Sequence, residues 1–264
     1  MQPPEQTGNS GVAGRIVRRL LDPARESHIS DVRVGLGYTA VMLEDGRAGV
    51  AFTFRDQARC GCSVIDGIRP LSGRSAADLL VLLESRDPIE AGVGLACANA
   101  LANQTKNNTL PGDILDHLDL GPDDHVGMVG HFGPLVGVIQ ERARSLTVFE
   151  RVDHPTGLLR PQEEAREVLP RCQVALITAT AIINHTMDGL LEAAGDCREV
   201  AVLGASTPLL ADVFFDGSVT MLSGVIVRNP REILRVVSEG GGMRFFGPHV
   251  DKVSLRAGGS PLTK

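Results

Sequence analysis

Residues 126–150 read VGMVGHFGPLVGVIQERARSLTVFE, and this stretch decides the fold. Val126, Met128 and Val129 make a short apolar run, and a glycine turn follows at Gly130-His131-Phe132-Gly133. Pro134 then opens a helical stretch to about residue 144, and a second apolar run, 146–149, closes on Glu150. Strand, glycine turn, helix and strand make a βαβ unit, whose two strands are parallel. Ligands of such sheets bind beyond the carboxyl ends of the strands. The turn and Glu150 therefore fall where a site is expected.

Working outward, the same alternation continues downstream. Apolar strands are expected at 126–129, 146–149, 174–178, 199–203 and 224–227, with helices at 112–118, 134–144, 163–168, 182–194 and 230–239. Apolar strands separated by helices imply a mostly parallel sheet covered on both faces, an α/β fold. Upstream the pattern differs. Val12, Ile16, Val17, Leu20 and Leu21 recur at helical spacing, and Pro23 is expected to stop that helix. A strand over 32–43, a hairpin turn at Glu44-Asp45-Gly46 and a return strand over 49–54 come next. A Gly-rich loop spans 59–73, and helices follow at 75–84, with Ser75 as cap, and at 88–103. The polar segment 104–112 marks the boundary between a small α+β domain (11–104) and the α/β domain (112–257), while the polar residues 1–10 are expected to be disordered.

Composition narrows the function classes. Hydrophobic residues at 43% and charged residues at 22% describe an ordinary globular chain. A net charge of −6 argues against a nucleic-acid partner held through phosphates. All but three basic residues are Arg, the exceptions being Lys106, Lys252 and Lys264. No apolar run reaches membrane-spanning length, and no signal-peptide pattern opens the chain. Cys60, Cys62, Cys97, Cys172 and Cys197 are odd in number and scattered, which is no disulfide framework. The expected compartment is the cytoplasm. Exposed edges of the small sheet allow a homodimer.

Candidate site residues cluster at the strand ends. Gly127, Gly130 and Gly133 follow GxxGxxG spacing rather than the GxGxxG of a nicotinamide dinucleotide site. Glu150 lies 20 residues after Gly130, an offset at which an acidic residue can hold ribose hydroxyls. His131 can serve as a metal ligand or acid–base group, or simply as a hydrogen-bonded loop residue. Thr178 and Thr180 end the third strand, and Ser206 and Thr207 the fourth; each hydroxyl can cap a helix or hold an anion. Cys60-Gly61-Cys62 lacks the second Cys/His pair of a zinc site, Asp153-His154 reads as an ordinary loop, and Asp123-Asp124 reads as solvated at the far end of the sheet.

In sequence order, residues 94–101 (GLACANAL), VGMVGHFGPLV, the strand ending in Glu150, TATAIINHT (178–186), LGASTPL (203–209) and ADVFFDGSVTMLSGVIV (211–227) resemble a prokaryotic family described as heavy-metal chelation proteins. The resemblance runs from about residue 12 to about residue 255. It implies a Rossmann-like domain preceded by an enolase-N-terminal-like α+β domain, with a site between them. That site would take in Asn99 from the first domain, with Gly130, His131, Phe132, Gly133, Glu150, Thr178, Thr180, Ser206 and Thr207 from the second. No enolase chemistry comes with it, since the catalytic barrel is missing. Three readings stand: a cleft binding a transition-metal ion or a metal-chelating anionic small molecule, with His131 and Glu150 as metal-directed side chains; an enzyme using a nucleoside cofactor, S-adenosyl-methionine before NAD; and a non-catalytic binding or regulatory subunit.

Overall fold

A computed structural model of the chain describes residues 11–60, 63–65, 67, 69–105 and 108–258. Residues 1–10, with their expected disorder, and Cys62 lie outside the described residues. Among the described residues the strands form two sheets. The smaller is antiparallel, in the order β1 (Ile29–Val34), β2 (Tyr38–Leu43), β3 (Ala48–Phe52). The larger uses β4 (Leu110–Pro111), β5 (His125–Val129), β6 (Ser145–Glu150), β7 (Leu159–Pro161), β8 (Val174–Thr178), β9 (Glu199–Leu203), β10 (Met221–Val227) and β11 (Val250–Arg256). Its order is β4-β11-β10-β9-β8-β5-β6-β7, with β5 to β10 mutually parallel and β11 and β4 antiparallel. Numbered in sequence, the six parallel strands run 3-2-1-4-5-6, the doubly wound order whose switch point lies between β5 and β8.

The helices are α1 (Val12–Arg25), α2 (Ala76–Leu80), α3 (Pro88–Ala102), α4 (Gly133–Arg142), α5 (Ala165–Val168), α6 (Met187–Ala193), α7 (Ala211–Phe214), α8 (Pro230–Ser238) and α9 (Met243–Phe246). None among the described residues is long and apolar enough to cross a membrane. Ser75 caps α2 as expected, accepting from the Ala77 N–H. Helix α1 runs two residues past Pro23, because a proline in the last turn removes only one bond of a ladder that is already ending. The strand expected over 32–43 is two strands. Gly35-Leu36-Gly37 turns the chain between them, and the Gly35 N–H donates to the Tyr38 carbonyl at 2.9 Å. The hairpin at Glu44-Asp45-Gly46 forms, with Gly46 at φ +87°.

Helix α3 organises the interior. Every residue from Ala91 to Ala102 is buried, as is Ile89, so beyond its first turn the helix has no solvent face, and Asn99 is the one polar residue in that buried run. Its close approach to β3 requires glycine: a Cβ at Gly49 would lie 2.2 Å from the Ala100 nitrogen and 2.4 Å from the Ala96 oxygen. One apolar cluster runs through α1, α2 and α3 into one face of β8, β9 and β10. A second cluster, with Leu135 and Ile139 of α4, covers the opposite face of the large sheet, and α8 packs its Ile233, Leu234 and Val237 into a third beside the small sheet.

Two asparagines tie this helix to its surroundings, and Asn99 links the two sheets. Asn99 Nδ2 donates to the Val50 carbonyl at 2.8 Å and the Ser206 carbonyl at 3.1 Å. Asn103 Nδ2 donates to the carbonyls of Thr207 (2.9 Å) and Val225 (3.1 Å), while its Oδ1 accepts from the Leu209 N–H at 2.8 Å. Asp124, expected to be solvated, is buried instead: it accepts from the Gly121 N–H and from Arg198, which anchors the start of β5.

Two substitutions test this packing. Gly49→Ala places a methyl group against rigid helix backbone and is expected to cost about 3 kcal/mol in urea unfolding. Asn103→Ala strips three buried backbone groups of their partner and should cost about 3 kcal/mol or more, whereas Gln104→Ala, at an exposed neighbour, should stay within about 0.5 kcal/mol.

Candidate functional site

A cleft of about 350 Å³ opens where the carboxyl ends of β5, β6, β8 and β9 face β2, β3 and the segment after β3. Volumes of roughly 300–1,000 Å³ are usual for small-molecule sites. The cleft straddles the switch point of the large sheet, where the parallel strands diverge in connection direction.

The β5–α4 turn forms one rim. Gly130 holds φ +88°, a left-handed conformation that favours glycine, and its N–H donates to the Phe149 carbonyl at 2.8 Å. A Cβ there would also lie 2.9 Å from the Thr178 Cβ. Glu150 closes the turn from β6. Its Oε2 accepts from the His131 N–H at 3.0 Å and its Oε1 from the Arg151 N–H at 2.9 Å. Each carboxylate oxygen thus keeps lone-pair capacity for a ligand while the side chain fixes the turn. The His131 side chain is exposed at this rim.

Two further strand ends supply hydroxyl groups. Thr178 caps the 3₁₀ turn Ala179–Ile182, accepting from the Thr180 N–H at 3.3 Å, and the two hydroxyls lie 2.9 Å apart. After β9, Gly204 sits at φ +114° and Ser206 Oγ accepts from the Phe52 N–H at 2.9 Å. Ser206 thus borders the cleft as a buried residue whose hydroxyl ties the segment after β9 to the small sheet.

Seven of the residues proposed from sequence line the cleft together: Gly130, His131, Phe132, Glu150, Thr178, Thr180 and Ser206. Asn99, Gly133 and Thr207 do not. Asn99 and Thr207 are buried in the seam behind it, with the Asn99 amide committed to two carbonyls and the Thr207 carbonyl accepting from Asn103. Gly133 starts α4 on the outer side of the turn. Sequence reasoning missed the opposite wall, formed by Tyr38, Phe52, Phe54 and Arg55, and the rim residues Arg151 and Gln162. The available signal was the alternation of Phe52 and Phe54, two residues apart at the end of a strand. Burial pushes the Tyr38 phenol up to about 12, so it is un-ionised at neutral pH.

The donor set bears on metal chemistry. Among the described residues no group of three or more His, Cys, Asp or Glu side chains is arranged to hold an ion. Burial pushes the thiols of Cys97 to about 12 and Cys197 to about 11 and raises Cys172 too, so all three are protonated, and none lines the cleft. Cys60 is exposed, and its partner Cys62 in the CGC pair is outside the described residues. His131 and Glu150 share one rim, where the carboxylate meets the His131 backbone N–H, and they do not make up such a group.

Comparison with known proteins agrees with this architecture. A crystal structure of a DUF364-family protein of unknown function from Pyrococcus horikoshii superposes with a TM-score of 0.82 at 21% identity, covering 94% of this chain and 100% of that one. A second, of unknown function from Desulfitobacterium hafniense, gives 0.76 at 19% identity, over 93% and 97%. An uncharacterized protein of Methanocaldococcus jannaschii is 24% identical over 243 residues, covering 88% of this chain and 92% of that protein. Residues 17–102 match the DUF4213 family and residues 113–256 the DUF364 family, both described as "Putative heavy-metal chelation". The second match alone takes in more than half of the sequence, and the chain belongs to the DUF364 family.

Proposed function

We propose that the cleft between residues 11–104 and 112–257 binds a small anionic chelator together with its transition-metal ion, the chelator bringing most of the metal's donors. The observation that carries this reading is a mismatch of capacity. The cleft has room for a small molecule, but among the described residues its lining offers only His131, Glu150 and Asp56 as metal-directed side chains. They are not gathered into one ion-holding group, and Glu150 already accepts two backbone N–H bonds. A bare ion would be left short of ligands; a chelated ion would not. Thr178, Thr180, Ser206 and the backbone around Gly130 would hold the chelator's oxygens, with His131 and Glu150 at the metal. The heavy-metal label of the matched families supports the metal half of the reading.

A second reading has its own observation. Glu150 ends the strand next to β5, and Gly130 turns at positive φ beside the switch point, the arrangement that holds a nucleoside cofactor in doubly wound sheets. S-adenosyl-methionine suits the GxxGxxG spacing better than NAD.

Calorimetry separates these. Nickel, cobalt, copper and zinc are titrated as free ions and as citrate complexes. The chelate reading expects a complex to bind at least about tenfold tighter than the free ion, with His131→Ala weakening it by about tenfold. Equal binding of ion and complex, unchanged by His131→Ala, contradicts it. S-adenosyl-methionine binding to the metal-free protein, lost in Glu150→Ala, would favour the second reading instead.

A further inference from the structure

The chain has only nine aromatic side chains, eight Phe and one Tyr, with no Trp. Five of them, Tyr38, Phe52, Phe54, Phe132 and Phe149, line this one cleft. Core packing accounts for Phe149, which is fully buried. Phe52, Phe54 and Phe132 are only partly buried; Phe54 and Phe132 pack against the core on one side, and all three also line the cleft.

These side chains form two opposed walls. On the small-sheet side, Tyr38, Phe52 and Phe54 make a continuous edge-to-face ladder, with ring centroids 5.9 Å and 5.1 Å apart and interplanar angles of 85° and 81°. The Arg151 guanidinium lies 4.6 Å from the Phe54 centroid, fixing that ring at the mouth. On the large-sheet side, Phe132 lies over two glycines. A Cβ at Gly204 would be 3.5 Å from its ring, and one at Gly130 would be 3.6 Å away. The polar groups Glu150, Thr178 and Thr180 line the same cleft. Apolar, rigid walls beside a polar rim suit a flat molecule with donors on its edge, and suit an aliphatic polyacid poorly.

Resting on the reading that this cleft takes a chelate, we propose that the ligand carries a planar aromatic ring, which enters between Phe132 and the Phe52–Phe54 wall and turns its ring hydroxyl or carboxylate groups toward Glu150, Thr178 and Thr180. The ligand class is an aromatic chelator of the catecholate or aromatic hydroxy-acid type. A nucleobase presents the same flat ring, and the test distinguishes the two sources.

The probes are iron(III) with 2,3-dihydroxybenzoate, iron(III) with citrate, and adenosine, each titrated by calorimetry into the full chain and into Phe132→Leu and Phe54→Leu. The two variants remove a ring from opposite walls, so a folding failure in one leaves the other informative. Tyr38 is the only Tyr and there is no Trp, so intrinsic emission reports on the cleft wall directly. The expected result is dihydroxybenzoate–iron binding about tenfold tighter than citrate–iron, with Tyr38 emission changing on binding. Either leucine variant should bring that preference down to about threefold or less, by weakening the dihydroxybenzoate complex more than the citrate complex. Equal binding of the two complexes, untouched by both variants, overturns the aromatic slot and leaves the chelate reading standing. Tight adenosine binding, sensitive to both variants, without binding of either complex overturns the chelate reading and keeps the slot with a nucleobase in it. No binding of any probe overturns both.

Discussion

The architecture depends on one constraint: a largely apolar helix, α3, is buried between two sheets, and Asn99 on it and Asn103 at its C-cap must find partners inside. Buried amides without hydrogen bonds are costly, about 1–3 kcal/mol for each group left unmade. Asn103 satisfies both ends of its amide on the large-sheet side, at Thr207, Val225 and Leu209. The Asn99 Nδ2 instead spans the gap, from Val50 of the small sheet to Ser206 after β9, and its Oδ1 is left without a partner among the described residues. The Phe52 N–H to Ser206 Oγ bond continues the same seam toward solvent. These hydrogen bonds add direction to the close apolar packing of α3 between the sheets. The cleft is the gap left where this seam ends.

That origin shapes what the cleft can do. Its polar groups are largely structural as well: Glu150 fixes the β5–α4 turn, Thr178 caps a 3₁₀ turn and Ser206 ties the sheets. Side chains held in this way are preorganised, but each has only part of its bonding capacity to offer a ligand. A site of this kind favours a partner that arrives with its own donors and needs a shaped, partly apolar seat. Doubled duty also links stability to binding, because one apolar cluster is shared by α1, α3 and the face of β8 to β10.

Much of the large sheet was legible in the sequence. Val174–Thr178 and Glu199–Leu203 are strands with the bounds read from their apolar runs, because a central parallel strand is buried on both faces and carries no polar interruption. The outer strands were less legible: β4 and β7, at the two edges, are two and three residues long, and β11, next to β4, places Asp251 and Lys252 side by side, so none presents an unbroken apolar run. For the site, glycine at positive φ and an acidic strand end are local signals, and Gly130 and Glu150 were readable. Asn99 and Thr207 were misplaced into the cleft for a physical reason: a polar residue within an apolar stretch marks either a binding group or a buried clamp, and only the identity of its partners separates the two. The aromatic wall went unread because Tyr38, Phe52 and Phe54 resemble ordinary core residues until the second sheet is seen opposite them.

The central claim is that the asparagine seam holds the sheets as one cooperative unit and so defines the cleft. Native-state hydrogen exchange of the Leu209 and Phe52 amides measures this directly, since each donates across the seam. The account predicts that both exchange only through global unfolding, with the same opening free energy and denaturant dependence as the amides of β8. Exchange of these two amides through a lower-energy opening, while β8 stays protected, would show that the sheets part independently and would contradict it.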